Sequence, residues 1–353
     1  MSIGYRANAR SILNTQYSIQ YMTTKAIALI SGGLDSLLAA KVVQEEGIDV
    51  LGVCFTMSFA SRDIEDFKRK VKVTADRSGI PLEFADISEK FLAVLKSPEH
   101  GYGGHLNPCI DCKILMLEEA KKMMAERHAS FVVTGEVLGE RPMSQGRWAL
   151  DRIMQRSGLE GYLLRPLSAK LLDETVAEKE GLILRGNLLD ISGRSREHQL
   201  RLADKYGIKD FFQPAGGCLL TDPQFSKRIK DLIDHDKLDL EEIKLLSFGR
   251  HFRIDERTKA VVGRDEKDTK GILSLKRQDD IIFRLKDKSG PYVILRGDGS
   301  PANIEMSASL CVSHSKYRES PQPLEVEYWT DESSRKTMPA SSLDKEKIEA
   351  MRI

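Results

Sequence analysis

Residues 25–43 run Lys25-Ala26-Ile27-Ala28-Leu29-Ile30, then Ser31-Gly32-Gly33-Leu34-Asp35-Ser36, then Leu37-Leu38-Ala39-Ala40-Lys41-Val42-Val43. The first block is a short apolar run with β-branched residues and reads as a buried strand. The third predicts the opening turns of a helix. Between them sits a glycine turn, and the three together make an anion cradle. Glycine lets the backbone approach a phosphate, and the unpaired N–H groups of a helix start point at it. Ser31 and Ser36 add hydroxyl donors, and Asp35 can hold a magnesium ion. No Gly-Lys-Ser/Thr follows, so this is not a Walker loop.

Further along, Asp49–Phe55, Leu82–Ile87, Phe131–Gly135 and Tyr162–Leu167 read as strands, and Ile64–Ser78 as a helix. Alternating strands and helices argue for a parallel sheet covered on both faces. Ligands of such sheets bind beyond the carboxyl ends of the strands, an edge shared by the Ser31 loop and Gly135. Leu172–Glu180 and Arg196–Tyr206 are expected helices, the latter following Arg194 and carrying Arg196, His198 and Arg201. Glu140–Gln145 is a loop too polar to be mere spacing, with no role that its residues assign.

The 353 residues allow two domains, and a formal net charge of +1 gives no global argument for nucleic acid. An RNA partner would have to be bound by local patches. No apolar stretch approaches the roughly 18 residues of a membrane span. The five cysteines (Cys54, Cys109, Cys112, Cys218 and Cys311) are odd in number and no secretory signal is visible, which suits a reducing cytoplasm. Residues 1–22 contain Arg6 and Arg10 and no acid; they are expected to be a disordered leader, with Met22 as an alternative start.

Asn107-Pro108-Cys109-Ile110-Asp111-Cys112 opens a helix expected to continue to Arg127. Spacing of three puts both sulfurs on one face. A helix N-terminus favours a thiolate by about 0.3–1 kcal/mol. At about 1.36 kcal/mol per pKa unit that is less than one unit, so a metal, a persulfide or a bound cation must supply the rest. Cys218, after Pro214-Ala215-Gly216-Gly217, is the third loop cysteine. Zinc usually takes four ligands, whereas three thiolates suit an iron–sulfur cluster with one open iron. A Cys112–Cys218 redox pair and two buried thiols are the other readings.

The Ser-Gly-Gly-x-Asp-Ser turn resembles the PP-loop of ATP pyrophosphatases. With Asn107–Lys113, Thr134-Gly135-Glu136 and Gly216-Gly217-Cys218 in that order, residues 23–235 resemble the PP-loop tRNA thiolases, meaning 2-thiouridylases and 4-thiouridine synthetases. The resemblance implies a PP-loop fold and an ATP site at Ser31, Gly32, Gly33, Asp35, Ser36 and Gly135 with Mg²⁺ near Asp35. It matches Cys112 and Cys218 to the catalytic cysteines, with tRNA as substrate and a separate sulfur donor. Cys109 stands where the 2-thiouridylases carry aspartate, a departure that moves the chain towards the three-cysteine thiolases holding a 4Fe-4S cluster on Cys109, Cys112 and Cys218.

From about Leu238 the texture changes to short alternating strands: 247–253, 260–265, 280–287, 292–297 and 324–329, with a helix over 306–315. Residues 247–345 resemble the NFACT-R domain, an RNA-binding module. Ile282 and Arg284 depart from its usual tryptophan and histidine, and Ser289-Gly290-Pro291-Tyr292 from its Pro-Gly-Ser-His. Arg250, Arg253, Arg264, Arg284 and Arg296, with Arg194 and Arg196 upstream, are the candidate RNA contacts. The expected architecture is thus an α/β unit over 23–235, a parallel sheet with helices on both faces, and a smaller α+β unit over 236–353. The expected activity is ATP-dependent thiolation of a tRNA uridine. The competing readings are a PP-loop ligase that adenylates a carboxylate and an RNA-binding quality-control protein.

Overall fold

A computed structural model describes residues 24–58, 63–212 and 218–353. The expected leader and residues 214–217 lie outside the described residues. The first unit is built on strands β1 (Lys25–Leu29), β2 (Asp49–Thr56), β3 (Leu82–Asp86), β4 (Phe131–Val133) and β5 (Leu163–Leu164). All pair in parallel, in the order β3-β2-β1-β4-β5. Its helices are α1 (Leu34–Glu45), α2 (Ile64–Arg77), α3 (Ser88–Lys96), α4 (Cys109–Glu126), α5 (Arg147–Arg156), α6 (Val176–Lys179), α7 (Glu197–Tyr206), α8 (Pro223–Asp234) and α9 (Leu240–Leu245).

The central strand shows why both faces are covered. Ala26 and Ala28 join one apolar cluster with α1, Val71 and Ala75 of α2, and Ala203 of α7. Ile27 between them joins another with Ile114, Leu117 and Ala120 of α4 and Ile153 of α5. β4 alternates likewise, Phe131 and Val133 one way and Val132 the other. Successive strand residues face opposite sides, so two helical layers are needed. β1 is flanked by β2 and β4, which places a topological switch point at its carboxyl end, where the Ser31 turn begins.

The second unit is a six-stranded antiparallel sheet, β11-β10-β8-β9-β7-β6. Its elements are β6 (Arg250–Asp255), β7 (Thr258–Val262), α10 (Glu266–Ser274), β8 (Ile281–Leu285), β9 (Val293–Arg296), α11 (Pro301–Ser313), β10 (Leu324–Trp329), β11 (Lys336–Ala340) and α12 (Lys345–Met351). Ala260 and Val262 of β7 face α11, while Val261 faces Ile272 of α10 and Leu245 of α9. The helix expected over 306–315 starts earlier, because Ser300 caps it and Pro301 occupies its first turn. The helix expected over 172–180 shrinks to α6, whose start is fixed by the Thr175–Glu178 capping box.

α9 ties the two units together. Ile243 and Leu246 pack with Phe225 and Ile229 of α8, and Leu245 packs against the antiparallel sheet. Beside them the buried Glu242 carboxylate accepts from Lys259 of β7 and from Arg296 Nη1 of β9 at 3.1 Å. Arg296 also donates to Asp280 from Nε at 3.0 Å. Burial pushes Glu242 up and Lys259 down, but the Lys259 and Arg296 cations overcome it on Glu242 and hold that carboxyl below its ordinary range. Glu242→Gln leaves Lys259 buried without a counter-charge and is expected to cost about 3–5 kcal/mol. A fall in the urea midpoint of that size checks it; a change under about 1 kcal/mol would show that the pair is not needed.

Candidate active site

The turn after β1 is wired within itself. Ser36 Oγ donates to Gly33 O at 2.8 Å, closing the first turn of α1, and accepts from Ser31 N at 3.2 Å. Gly33 N donates to Ser31 Oγ at 3.3 Å. Gly32 has φ +80°, and a Cβ there would sit 2.9 Å from the Phe212 ring, so both backbone and packing demand glycine. Phe212 N in turn donates to Gly32 O at 2.9 Å.

Asp35 is the unsatisfied member of this turn. Its Oδ1 is buried with no hydrogen-bond partner among the described residues, and the same holds for Arg196 Nε and both amide atoms of the fully buried Gln199. Burial raises the Asp35 carboxyl, and the neighbouring Arg196 and Arg141 charges offset only part of that. Glu140 is raised as well, first by burial and then by Asp35 beside it. Two carboxyls and two guanidinium groups therefore converge on the glycine turn. Orphaned buried polar atoms are rare enough to call for a ligand that pairs them. A phosphate fits Arg141, Arg196 and the turn N–H groups; a divalent cation fits Asp35 and Glu140.

Gly135 holds the turn rather than offering it a side chain. A Cβ on it would lie 2.5 Å from Asp35 C and O and from Ser36 N. The next residue, Glu136, is buried and accepts from Lys113 Nζ at 2.6 Å, Arg165 Nε at 2.8 Å and Thr134 Oγ1 at 3.2 Å. Burial pushes Glu136 up, but Lys113 and Arg165 overcome it and hold the carboxyl at about 2. Lys113 follows Cys112 on α4 and also donates to Ser144 O at 3.3 Å. Thr134-Gly135-Glu136 thus backs the glycine turn with one residue and fastens the cysteine helix with the next.

The thiols gather at the other end of this link. Burial pushes Cys112 up to about 12, with Cys218 and Cys109 pushing the same way. Cys218 is raised by burial and by Cys109, and it packs with Cys112 against the α3–α8 cluster. All five cysteines are free, and no group of three or more His, Cys, Asp or Glu among the described residues is spaced to hold a metal ion. Asp111, between the two helix cysteines, is committed elsewhere: it accepts from His100 N at 3.0 Å and His100 Nδ1 at 2.8 Å. Cys54 and Cys311 are core residues.

The expected arginine stripe is redistributed. Arg296 is buried in the Asp280–Glu242 network and cannot meet RNA. Arg253 is spent on Asp231, Arg264 on Asp268, and Arg284 on Glu327. Arg250 has no ion-pair partner among the described residues. Arg194 is exposed, whereas Arg196 lies beside Asp35 and 5.9 Å from the Phe211 ring, a phosphate-end position rather than an outer RNA contact. Arg141, Glu140 and Gln199 were not expected at the site, and the polarity of 140–145 was the visible signal for the first two; Lys113 and Glu136 stood in the quoted motifs without a role of their own.

Two outcomes follow from the link. Gly135→Ala must displace the Asp35–Ser36 backbone, and overpacking of this kind should lower the free energy of urea unfolding by about 1–3 kcal/mol; an unchanged midpoint would refute the contact. Glu136 has a folded value near 2 against an ordinary 4.5, so its stabilisation is present above pH 4.5 and lost as pH falls towards 2. Urea midpoints should fall more steeply over that window in the wild type than in Glu136→Gln, and parallel curves would count against the ion triad.

Comparison with known proteins gives two family matches. Residues 21–175 match the family described as thiamine biosynthesis protein (ThiI), and residues 249–352 match the NFACT protein RNA binding domain. The chain is 25% identical over 243 residues to the tRNA-specific 2-thiouridylase MnmA of Clostridioides difficile strain 630, covering 63% of this chain and 62% of that one. It is 27% identical over 215 residues to the MnmA of Methylobacterium nodulans, covering 55% and 53%. The chain thus spans less than two thirds of the length of these relatives. Among solved structures it overlaps a 4-thiouridine synthetase–RNA complex with bound ATP (TM-score 0.37, 18% identity, 64% of this chain and 53% of that one). It also overlaps the U34-tRNA thiolase NcsA of Methanococcus maripaludis with its [4Fe-4S] cluster (0.29, 14%, 64% and 69%). Those overlaps are too low to carry an argument. The two matches fall on different sheets of the structure, the ThiI match on the parallel one and the NFACT RNA binding match on the antiparallel one.

Proposed function

We propose that this chain is an ATP-dependent tRNA sulfurtransferase, with residues 23–235 as its catalytic unit and 236–353 holding RNA. One observation carries the reading: a three-residue segment, Thr134-Gly135-Glu136, abuts the nucleotide turn and anchors the helix bearing Cys109 and Cys112. A nucleotide-activating site and a thiol site so coupled suit one reacting base. A ligase adenylating a carboxylate would leave the thiols without a task.

The uridine carbonyl oxygen attacks the α-phosphorus of ATP; the bond to the bridging oxygen breaks and pyrophosphate leaves. Activation is needed because a carbonyl oxygen is otherwise a very poor leaving group. Sulfur at the hydrosulfide level, delivered by a donor to the thiols, then attacks the same carbon, and the C–O bond to AMP breaks. The turn N–H groups, Arg141 and Arg196 take the phosphate charge and hold the α-phosphorus in line. Asp35 and Glu140 would hold Mg²⁺, which supplies further charge neutralisation. Cys109, Cys112 and Cys218 have the donor chemistry of a 4Fe-4S cluster but, as described, not the spacing to ligate one; drawn together on such a cluster they would leave one iron open for sulfur. Thiols raised this far by burial need a cation to become thiolates. Five free cysteines suit a reducing cytoplasm, and no described helix is long and apolar enough to cross a membrane.

Two substitutions separate the steps. Asp35→Ala should lower tRNA-dependent pyrophosphate release by at least about 10²-fold. Cys112→Ser should keep that release within a few-fold while abolishing thiouridine in the nucleosides of the tRNA, read by mass spectrometry. Full release in the first variant, or full thiouridine in the second, would refute the corresponding assignment.

A further inference from the structure

Two clefts of the structure meet at one side chain. The larger, about 520 Å³, opens between the β7–α10 turn, the Ser289–Tyr292 loop and the end of α11, with Arg250, Arg264 and Lys316 as its cations. The second, about 350 Å³, lies between α8 and the last residues of the chain and is lined by Lys227, Arg228, Arg250 and Arg352. Arg250 belongs to both.

The acids of the two clefts are already engaged. Asp265 caps α10 through Asp268 N at 2.8 Å, Glu266 pairs with Lys270 at 2.7 Å, and Glu349 pairs with Arg352 at 2.8 Å. Of the cations, Arg264 pairs with Asp268 and Arg352 with Glu349, whereas Lys227 donates to the neutral Arg352 O at 2.8 Å. Lys316 stands 5.1 Å from the Tyr317 ring and, like Arg250, has no ion-pair partner among the described residues. The charge left without an ion pair among the described residues, on Lys227, Arg250 and Lys316, is therefore positive in both clefts. Tyr292 and His314 add planar rings to the larger cleft, and an unpaired base can stack on such rings, which an acidic peptide would not use. The smaller cleft has α8 as one wall, and α8 begins just after the 3₁₀ turn that Cys218 opens.

We propose that the two clefts form one trough, pivoting on Arg250, that holds the ribose-phosphate backbone of the tRNA and leads it from the antiparallel sheet across α8 towards Cys218. This rests on the tRNA reading given above. It assigns the contacts to residues of both units and removes Arg253, Arg284 and Arg296 from the path.

The test uses the full chain and an unmodified tRNA transcript, with binding followed by fluorescence anisotropy over a range of salt. In the double variant Arg250→Ala, Lys316→Ala, affinity near 0.1 M salt should drop about tenfold, and the slope of log K against log salt should shrink by about two. Lys90→Ala with Lys122→Ala removes the same charge at α3 and α4, and should leave affinity within about twofold. Arg250→Lys, which keeps the charge, should keep the slope, and this separates lost contact from lost folding. An unchanged slope in the double variant, or an equal loss in the α3–α4 control, overturns the trough while leaving the sulfurtransferase reading intact. A wild-type chain that binds no tRNA at any salt overturns that reading itself.

Discussion

The absence of one methyl group at residue 135 governs the geometry of the site. Where β4 ends, the backbone lies so close to Asp35 and Ser36 that only a hydrogen fits between them. The strand is fixed by its ladder to β1 and β5, so the turn after β1 is held from behind by an element that cannot retreat. A turn held this way keeps its N–H groups aimed without help from a ligand, which is what preorganisation of an anion site requires.

Charge is distributed with the same economy. Glu136 would be an expensive group to bury alone, yet with Lys113, Arg165 and Thr134 around it every oxygen is satisfied. The carboxyls of Asp35 and Glu140 and the thiols of Cys112 and Cys218 are the reverse case, all raised by burial with incomplete compensation. The supporting network is complete and the reacting ends are not. Perturbed groups concentrated where ligands must arrive are a mark of function.

The parts legible in the sequence were those set by local pattern. β1, its glycine turn and the start of α1 follow from an apolar run, two glycines and a helix-forming stretch, and β2 and the cysteine helix from period and capping chemistry. The cap itself differs from that reading: the helix begins at Cys109, Pro108 takes the cap position rather than the first helical one, and no side chain caps it. What remained hidden depended on partners far along the chain. Gly135 reads as a residue facing ligand, but its neighbour is Asp35, 100 residues earlier. Arg296 reads as surface charge until Glu242 and Asp280 close around it. α5 escaped notice because Ala149, Leu150 and Ile153 alone carry its buried face, too few to announce a period.

α9, six residues long, gives Ile243, with Leu246 just after it, to one core, Leu245 to the other and Glu242 to the ion network between them. Neither half can therefore be cut away cleanly: a break on either side of this helix strips an apolar side chain from one interior or orphans Lys259 in the other. The two units are in this way made to inherit a common stability, and a weakened hinge would be felt as failure of both.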